Sequence, residues 1–129
     1  MQTYLTDTNI LIYYFNGDLP IPVKKKVEDV FEESFQISIM PKIEFLGWKK
    51  HTTETFQTAK RFLQLAKILP LTHRIADGAI HLRRTTHIKT PDALIAATAM
   101  DHQAILVTRN TQDFKQIPQI HILDPFDAP

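Results

Sequence analysis

The chain has 129 residues, of which 43% are hydrophobic and 22% are charged, and it contains no cysteine. This length suits a single domain with its own core, and this composition argues against a disordered chain. The lack of cysteine excludes disulfide bonds, thiolate catalysis and cysteine-ligated zinc, and a net charge of +1 gives no overall attraction for nucleic acid. We expect one domain over residues 1–129, with 124–129 as a tail.

The first half of the chain alternates strand patterns with helix patterns. A short strand is followed by the polar tripeptide Asp7-Thr8-Asn9 and then by an apolar helix, which is the start of an α/β unit. The following helices show apolar residues at helical spacing with polar residues between them. The predicted elements are strands at 2–6 and 36–40, and helices at 10–15, at 22–35, from Pro41, and at 56–66 after a cap at Thr52 or Thr53.

The second half continues the alternation. The predicted elements are a weak strand at 68–71, a helix capped by Thr72 that runs through Arg84, an apolar helix over 90–100, a core strand at 104–107, a short helix within 108–114, and an edge strand at 120–123. Strands that alternate with helices favour an α/β fold with a parallel sheet covered on both faces.

The helix that begins Thr90-Pro91-Asp92 is apolar on every side and rich in alanine. Thr90 can cap it, Pro91 suits its first position, and Asp92 lies where the helix dipole favours negative charge. Such a helix is buried, so this pattern places a carboxylate at the edge of the core.

Several acids lie near the predicted strand ends. Asp7 directly follows the first strand, Glu44 lies about one helical turn past the second, Asp113 lies just past the 104–107 strand, and Asp92 opens the helix that leads into that strand. Ligands of open α/β sheets bind beyond the carboxyl ends of the strands, so acids at these points should share one edge of a parallel sheet. Glu44 also lies beside apolar residues, so we expect it to be partly buried and to need a partner. The candidates are Asp7, Glu44, Asp92 and Asp113, with Asn110 beside them.

Grouped carboxylates repel one another. Two unit charges about 5 Å apart cost roughly 3 kcal/mol at an effective dielectric near 20. A divalent cation removes this cost, and an all-oxygen ligand set suits Mg²⁺ or Mn²⁺ rather than zinc. Such an ion supports phosphodiester hydrolysis, although each acid alone could also serve as a helix cap or turn residue.

A basic stretch runs into Asp92. Residues 78–91 contain no acid, while Arg83, Arg84 and Lys89 are basic. They could position the phosphates of a nucleic acid. On charge alone, the stretch could equally be a solvated helix face.

Four segments in order resemble PIN-domain nucleases, and more narrowly the VapC-type toxin ribonucleases of type II toxin–antitoxin systems. The segments span nearly the whole chain. They are Asp7-Thr8-Asn9-Ile10, Ile43-Glu44-Phe45-Leu46-Gly47, Thr90-Pro91-Asp92-Ala93-Leu94-Ile95-Ala96-Ala97-Thr98-Ala99 and Leu106-Val107-Thr108-Arg109-Asn110-Thr111-Gln112-Asp113-Phe114.

The resemblance implies an α/β/α sandwich with a central, mostly parallel sheet, and Mg²⁺- or Mn²⁺-dependent cleavage of RNA that leaves a 5′-phosphate and a 3′-hydroxyl. Asp7, Glu44 and Asp92 match the family's three acidic metal-site positions, and Asp113 matches its less constant fourth acid. Asn110 stands where many relatives carry Asp or Asn. The implied supporting polar residues are Thr8, Asn9, Thr108 and Asn110, and Arg109 is a candidate phosphate contact.

The resemblance also implies partners. Relatives usually dimerise, and a small antitoxin commonly lies across the groove near their active site. The helices within 41–67 would form much of that groove, with Trp48 and Phe56 as anchors. The alternatives are a PIN-domain RNA-processing nuclease without an antitoxin and an inactive PIN-fold binding module. A phosphoacceptor signalling domain would need adjacent acids after the first strand, and Asp7 stands alone there.

Overall fold

Five short strands, separated by one or two helices each, and seven helices lie within residues 2–127, which are the residues that the computed structural model describes. The strands are β1 (Tyr4–Thr6), β2 (Gln36–Ser38), β3 (Lys67–Leu69), β4 (Ile105–Val107) and β5 (Ile122–Leu123). The helices are α1 (Thr8–Asn16), α2 (Ile21–Ser34), α3 (Ile39–Leu46), α4 (Thr53–Leu63), α5 (His73–Thr85), α6 (Thr90–Asp101) and α7 (Thr111–Phe114).

Every strand pair is parallel. β1 pairs with β4 and β4 with β5, while β2 pairs with β3. These pairs form two groups of strands, β1-β4-β5 and β2-β3, and β1 lies beside β2. Side chains connect the two groups there: the Tyr4 amide donates to Ser34 Oγ, and Gln36 Nε2 donates to the Tyr4 carbonyl, both at 3.2 Å. The strand order is therefore β3, β2, β1, β4, β5, and the prediction of an α/β protein with a central parallel sheet is confirmed.

The sheet is covered on both faces, as a sandwich requires. Successive strand residues point to opposite faces. Leu5 and Leu106 belong to the cluster formed with α5 and α6, whereas Tyr4 and Val107 belong to the cluster formed with α1 and α2. A third cluster joins α1, α3 and α4 around the buried Phe45.

Helix α6 is buried along most of its length, as predicted. Small residues allow α5 to approach it closely, because a Cβ at Gly78 would lie 3.4 Å from the Cβ of Ala97. The predicted cap is wrong by one residue: Lys89 is the extended N-cap residue and provides no side-chain hydrogen bond, while Thr90 is already helical.

Two other boundaries differ from the prediction. The second strand ends at Ser38, and α3 begins at Ile39, so Pro41 lies inside the first turn rather than opening the helix. A proline is tolerated there because the first amides of a helix have no internal partner. The β-propensity of Ile39 is overridden by this helix start.

The described part of the expected tail packs against the domain. Pro125 is buried, and the ring of Phe126 meets that of Tyr13 edge-on at a centroid distance of 5.9 Å. Met1, Ala128 and Pro129 lie outside the described residues. None of the helices within residues 2–127 has the length and hydrophobicity needed to cross a lipid bilayer.

Candidate metal centre

The candidate site lies where the strand order reverses, between β1 and its neighbour β4. Ligand crevices of open α/β sheets form at this point, beyond the carboxyl ends of the strands. Asp7 follows β1 and Thr108 follows β4, and the Asp7 amide donates to the Val107 carbonyl at 2.9 Å. The first strand and the fourth therefore bring together two polar residues that are 101 positions apart in the chain.

Asp7 is the buried centre of this site. Only 4% of its surface is exposed, and it is the N-cap of α1. Its Oδ1 accepts from the Thr8 amide at 2.7 Å, and its Oδ2 accepts from Thr108 Oγ1 at 2.8 Å. Asn9 Nδ2 lies 3.4 Å from the same Oδ2. These donors hold the carboxylate in one orientation.

The charge on Asp7 is nevertheless unfavourable in the protein alone. Burial raises the pKa of Asp7 from its ordinary 3.8 to about 6. The hydrogen bonds from Thr108 and Thr8 oppose this rise, whereas the nearby charges of Asp92 and Glu44 add to it. Asp7 therefore lies in an environment that would favour a compensating cation.

Glu44 reaches the site from α3. Its Oε1 accepts a hydrogen bond of 2.6 Å from Thr8 Oγ1, so Thr8 links it to Asp7. The expectation that Glu44 is partly buried is wrong, since the side chain is exposed. The next residue, Phe45, takes the fully buried position of this turn and leaves Glu44 on the outer side of the helix.

Asp92 and Asp113 complete the acidic set. Asp92 lies in the first turn of α6, and its pKa is raised by burial first and then by the charges of Asp113 and Glu44, while Lys89 lowers it. Asp113 is exposed on α7, and its Oδ2 accepts from Asn110 Nδ2 at 3.1 Å. Asp92 therefore lies within electrostatic reach of each of the other three predicted acids.

The donor chemistry of the site fits a hard dication. All four acids offer oxygen atoms only, and within residues 2–127 none of them forms an ion pair with a basic side chain. In their present positions, no three His, Cys, Asp or Glu side chains of those residues are close enough to hold one ion. Mg²⁺ does not need such a cage, because it commonly keeps several waters and binds through one or two carboxylates.

The supporting polar residues form a connected network. Thr108 Oγ1 accepts from the Asn110 amide at 2.9 Å, and the Arg109 amide donates to Asn9 Oδ1 at 3.3 Å. Asn9 Nδ2 also lies 3.3 Å from Thr108 Oγ1. The loop after β4 is thereby fixed against the start of α1.

The predicted basic residues have different surroundings. Arg83 Nη1 donates to the Ile88 carbonyl at 2.9 Å, so this side chain supports the loop before α6. Lys89 is close enough to Asp92 to lower its pKa. Arg84 borders an open depression of about 330 Å³ together with His87. Arg109 lies over the ring of Phe126, at 4.0 Å from Cζ to the ring centroid.

Sequence reasoning missed the contribution of Phe126 and Tyr13, both of which face the Arg109 guanidinium. The available signal was an aromatic residue within a segment that otherwise resembled a tail. Its contact with the loop after β4 is long-range, and no local pattern reports it.

The fold and the site define an α/β protein with an acidic centre at the carboxyl edge of a parallel sheet. Residues 4–120 match the model of the PIN domain family. This match covers most of the chain, which therefore belongs to the PIN domain family. A comparison with curated proteins finds no match.

Solved structures support this assignment. The chain is 33% identical to a chain of a toxin–antitoxin complex from Klebsiella pneumoniae, with a TM-score of 0.79 and coverage of 97% of this chain and 99% of that one. VapBC2 from Rickettsia felis, bound to a DNA fragment from its promoter, gives 27% identity, a TM-score of 0.80 and coverage of 95% and 98%. DNA-bound VapBC from Salmonella typhimurium gives 21% identity, a TM-score of 0.83 and coverage of 97% of this chain and 99% of that one. At this identity, the likeness shows the fold alone.

Proposed function

We propose that the protein is a Mg²⁺- or Mn²⁺-dependent endoribonuclease of the VapC type, which cleaves RNA to leave 5′-phosphate and 3′-hydroxyl ends. The observation that carries the proposal is the buried Asp7 carboxylate, held by Thr8 and Thr108 and electrostatically coupled to Asp92 and Glu44. Membership of the PIN domain family, whose members are nucleases, supports it.

In this proposal the four acids hold the ion, directly or through water. Asp7 and Asp92 would be the buried and half-buried ligands, while Glu44 and Asp113 would approach from the exposed side. When bound, the ion supplies Lewis-acid activation of the attacking water and of the leaving oxygen.

The remaining polar residues orient the site. Thr108 donates to Oδ2 of Asp7, and Thr8 donates to Oε1 of Glu44, so each of these carboxylates has one oxygen held in a defined direction. Asn110 donates to Asp113 and adds no negative charge of its own. Lys89, Arg84 and Arg109 are the exposed cations that would contact RNA phosphates.

Cleavage of labelled tRNA, rRNA and mRNA with Mn²⁺ or with EDTA tests this function, followed by mapping of the ends. Asp7→Asn should abolish cleavage and remain folded, because the amide keeps the shape of the carboxylate. Asp77→Asn is the matched control, since Asp77 is an exposed acid of α5. Cleavage by Asp7→Asn at the parent rate would refute the mechanism.

We further propose that the protein is the toxin of a toxin–antitoxin pair and forms a homodimer. The similar structures from Klebsiella pneumoniae and Rickettsia felis are named as a toxin–antitoxin complex and as VapBC2, which supports an antitoxin partner. An open aromatic hollow of about 490 Å³ lies between α2 and α4, lined in part by Phe31, Phe62 and Leu65. Leu65 is 75% exposed at its rim, so the hollow offers apolar surface to an amphipathic segment.

Co-purification with the product of a neighbouring small reading frame tests this partner. Leu65→Asp should weaken the complex, and Trp48→Ala and Phe56→Ala should do the same if those half-buried rings are anchors. Growth that continues when the protein is expressed alone, without any co-purifying partner, would favour the RNA-processing alternative. Light scattering of the purified protein tests the dimer.

A further inference from the structure

The guanidinium of Arg109 lies against two aromatic rings. Its Cζ is 4.0 Å from the centroid of Phe126 and 5.6 Å from that of Tyr13. Arginine stacks on aromatic faces through cation–π attraction and planar contact. An exposed arginine has many rotamers, and this contact selects one of them.

The segment that carries Phe126 is fixed to the domain. The Phe126 amide donates to Asp124 Oδ1 at 2.9 Å, and the Asp127 amide donates to the Asp124 carbonyl at 3.1 Å. Lys26 Nζ donates to the Asp127 carbonyl at 2.8 Å. The ring is thus presented by an anchored turn, which makes it a defined surface for stacking.

A guanidinium that packs on an aromatic ring uses its face and leaves its edge available. The five N–H donors of arginine point outward in the plane of the group. Among residues 2–127, Arg109 makes no ion pair with an acid and its side chain donates no hydrogen bond. A phosphate could therefore bind at the edge while the rings hold the face.

The position of Arg109 relative to the acids indicates which phosphate it would bind. Its backbone is anchored beside the site, but the side chain extends towards Tyr13, six residues beyond Asp7 along α1. That is about 9 Å of helix at 1.5 Å per residue. This rise separates backbone positions along α1, so a guanidinium held beside the Tyr13 ring would meet a phosphate that flanks the scissile one.

We propose that Phe126, assisted by Tyr13, is a positioning residue that holds the Arg109 guanidinium for a flanking RNA phosphate. This inference rests on the proposed ribonuclease function. It predicts an effect on RNA affinity and KM, with kcat retained, because a flanking contact is made equally in the ground state and in the transition state.

The test is a double-mutant cycle of RNA binding. Anisotropy of a fluorescein-labelled single-stranded oligoribonucleotide is measured with the full-length protein in EDTA, over a range of salt concentrations. Phe126→Leu removes the aromatic face and keeps apolar packing, and Phe126→Tyr is the conservative rescue. Arg109→Gln removes the charge, and Arg109→Lys keeps the charge but loses the planar stack.

We expect Phe126→Leu and Arg109→Lys each to weaken RNA binding about 3- to 10-fold. In both variants the side chain at position 109 is no longer held in place, and immobilising one flexible side chain on binding costs about that much affinity. Phe126→Tyr should bind within about twofold of the parent on the same scale. Arg109→Gln should lower the salt slope by about one. In the Arg109→Gln background, Phe126→Leu should have no further effect, because its action passes through Arg109.

Two results would overturn the inference: unchanged affinity in Phe126→Leu, or an equal loss in the parent and Arg109→Gln backgrounds. If Phe126→Leu fails to fold, as shown by thermal unfolding, unchanged binding by Arg109→Lys overturns it instead.

A separate Mn²⁺ cleavage assay measures KM and kcat. A parent that binds RNA through this pair but does not cleave it contradicts the proposed function alone, whereas cleavage with a failed cycle contradicts the inference alone.

Discussion

Replacement of Asp7 by asparagine should make the metal-free protein more stable at neutral pH while destroying its activity. The parent buries a carboxylate whose pKa is raised to about 6, mainly by burial. Asparagine has nearly the same shape and no charge. Its carbonyl oxygen can accept from the Thr8 amide as Oδ1 now does, at 2.7 Å.

The size of the effect follows from the pKa. The ordinary value is 3.8, and a tenfold change in proton affinity corresponds to about 1.4 kcal/mol, so ionisation of Asp7 costs the folded protein about 3 kcal/mol. The folded state holds this proton more tightly than the unfolded chain does. The free energy of unfolding should therefore fall as the pH rises from about 4 to about 6, and the loss should be complete above pH 6.

Urea unfolding in EDTA at a series of pH values measures this change. Relative to Asp7→Asn, the parent should lose about 2.4 kcal/mol between pH 4 and pH 7.5, because the unfolded chain is already more than half ionised at pH 4. The control Asp77→Asn should follow the parent profile. Because Asp92, Glu44 and Asp113 are present in every variant, the comparison measures the contribution of Asp7 together with its interaction with these acids.

Parallel pH profiles for the parent and Asp7→Asn would refute this reasoning, since they would mean that Asp7 carries no buried charge. Saturating Mn²⁺ gives a second check. It should restore stability to the parent, by about 2.7 kcal/mol at a hundredfold excess over the dissociation constant, and should leave Asp7→Asn unchanged.

The remaining predictions concern single side chains. Thr108→Val should remove the 2.8 Å donor to Asp7, lower stability at pH 7.5 by about 2 kcal/mol and raise the pKa of Asp7, as seen in the same unfolding series. Gly78→Ala should raise the free energy of unfolding by up to about 1 kcal/mol, because its Cβ meets Ala97 at an ordinary contact distance and alanine favours the helix. Gly47→Ala should destabilise the protein in the same assay, because its Cβ would lie 2.7 Å from the Ile43 carbonyl oxygen; equal stability of the two alanine variants would contradict this packing argument.

Much of the fold could be predicted from local patterns in the sequence. The composition of α6 predicts a buried helix because an all-apolar, alanine-rich pattern has no face suited to water. Asp7 was expected directly after a strand, and the structure places it there as the cap of α1. Parallel strands then bring the loops after β1 and β4 together.

Other features depended on contacts that no local pattern reports. The helix start at Ile39 and the exposure of Glu44 follow from how α3 places Phe45 in the core. The contact of Phe126 with Arg109 joins the end of the described chain to the loop after β4. Separation along the chain, rather than weak propensity, put that contact beyond sequence reasoning.

The central claim is that acids distant in sequence hold one hard dication at this edge of the sheet. Titration with Mn²⁺, monitored by the electron paramagnetic resonance of the free ion, tests it most directly. The account predicts saturable binding by the parent and by Asp77→Asn, and its loss in Asp7→Asn and Asp92→Asn. Equal binding by all four proteins, or none by the parent, would contradict it.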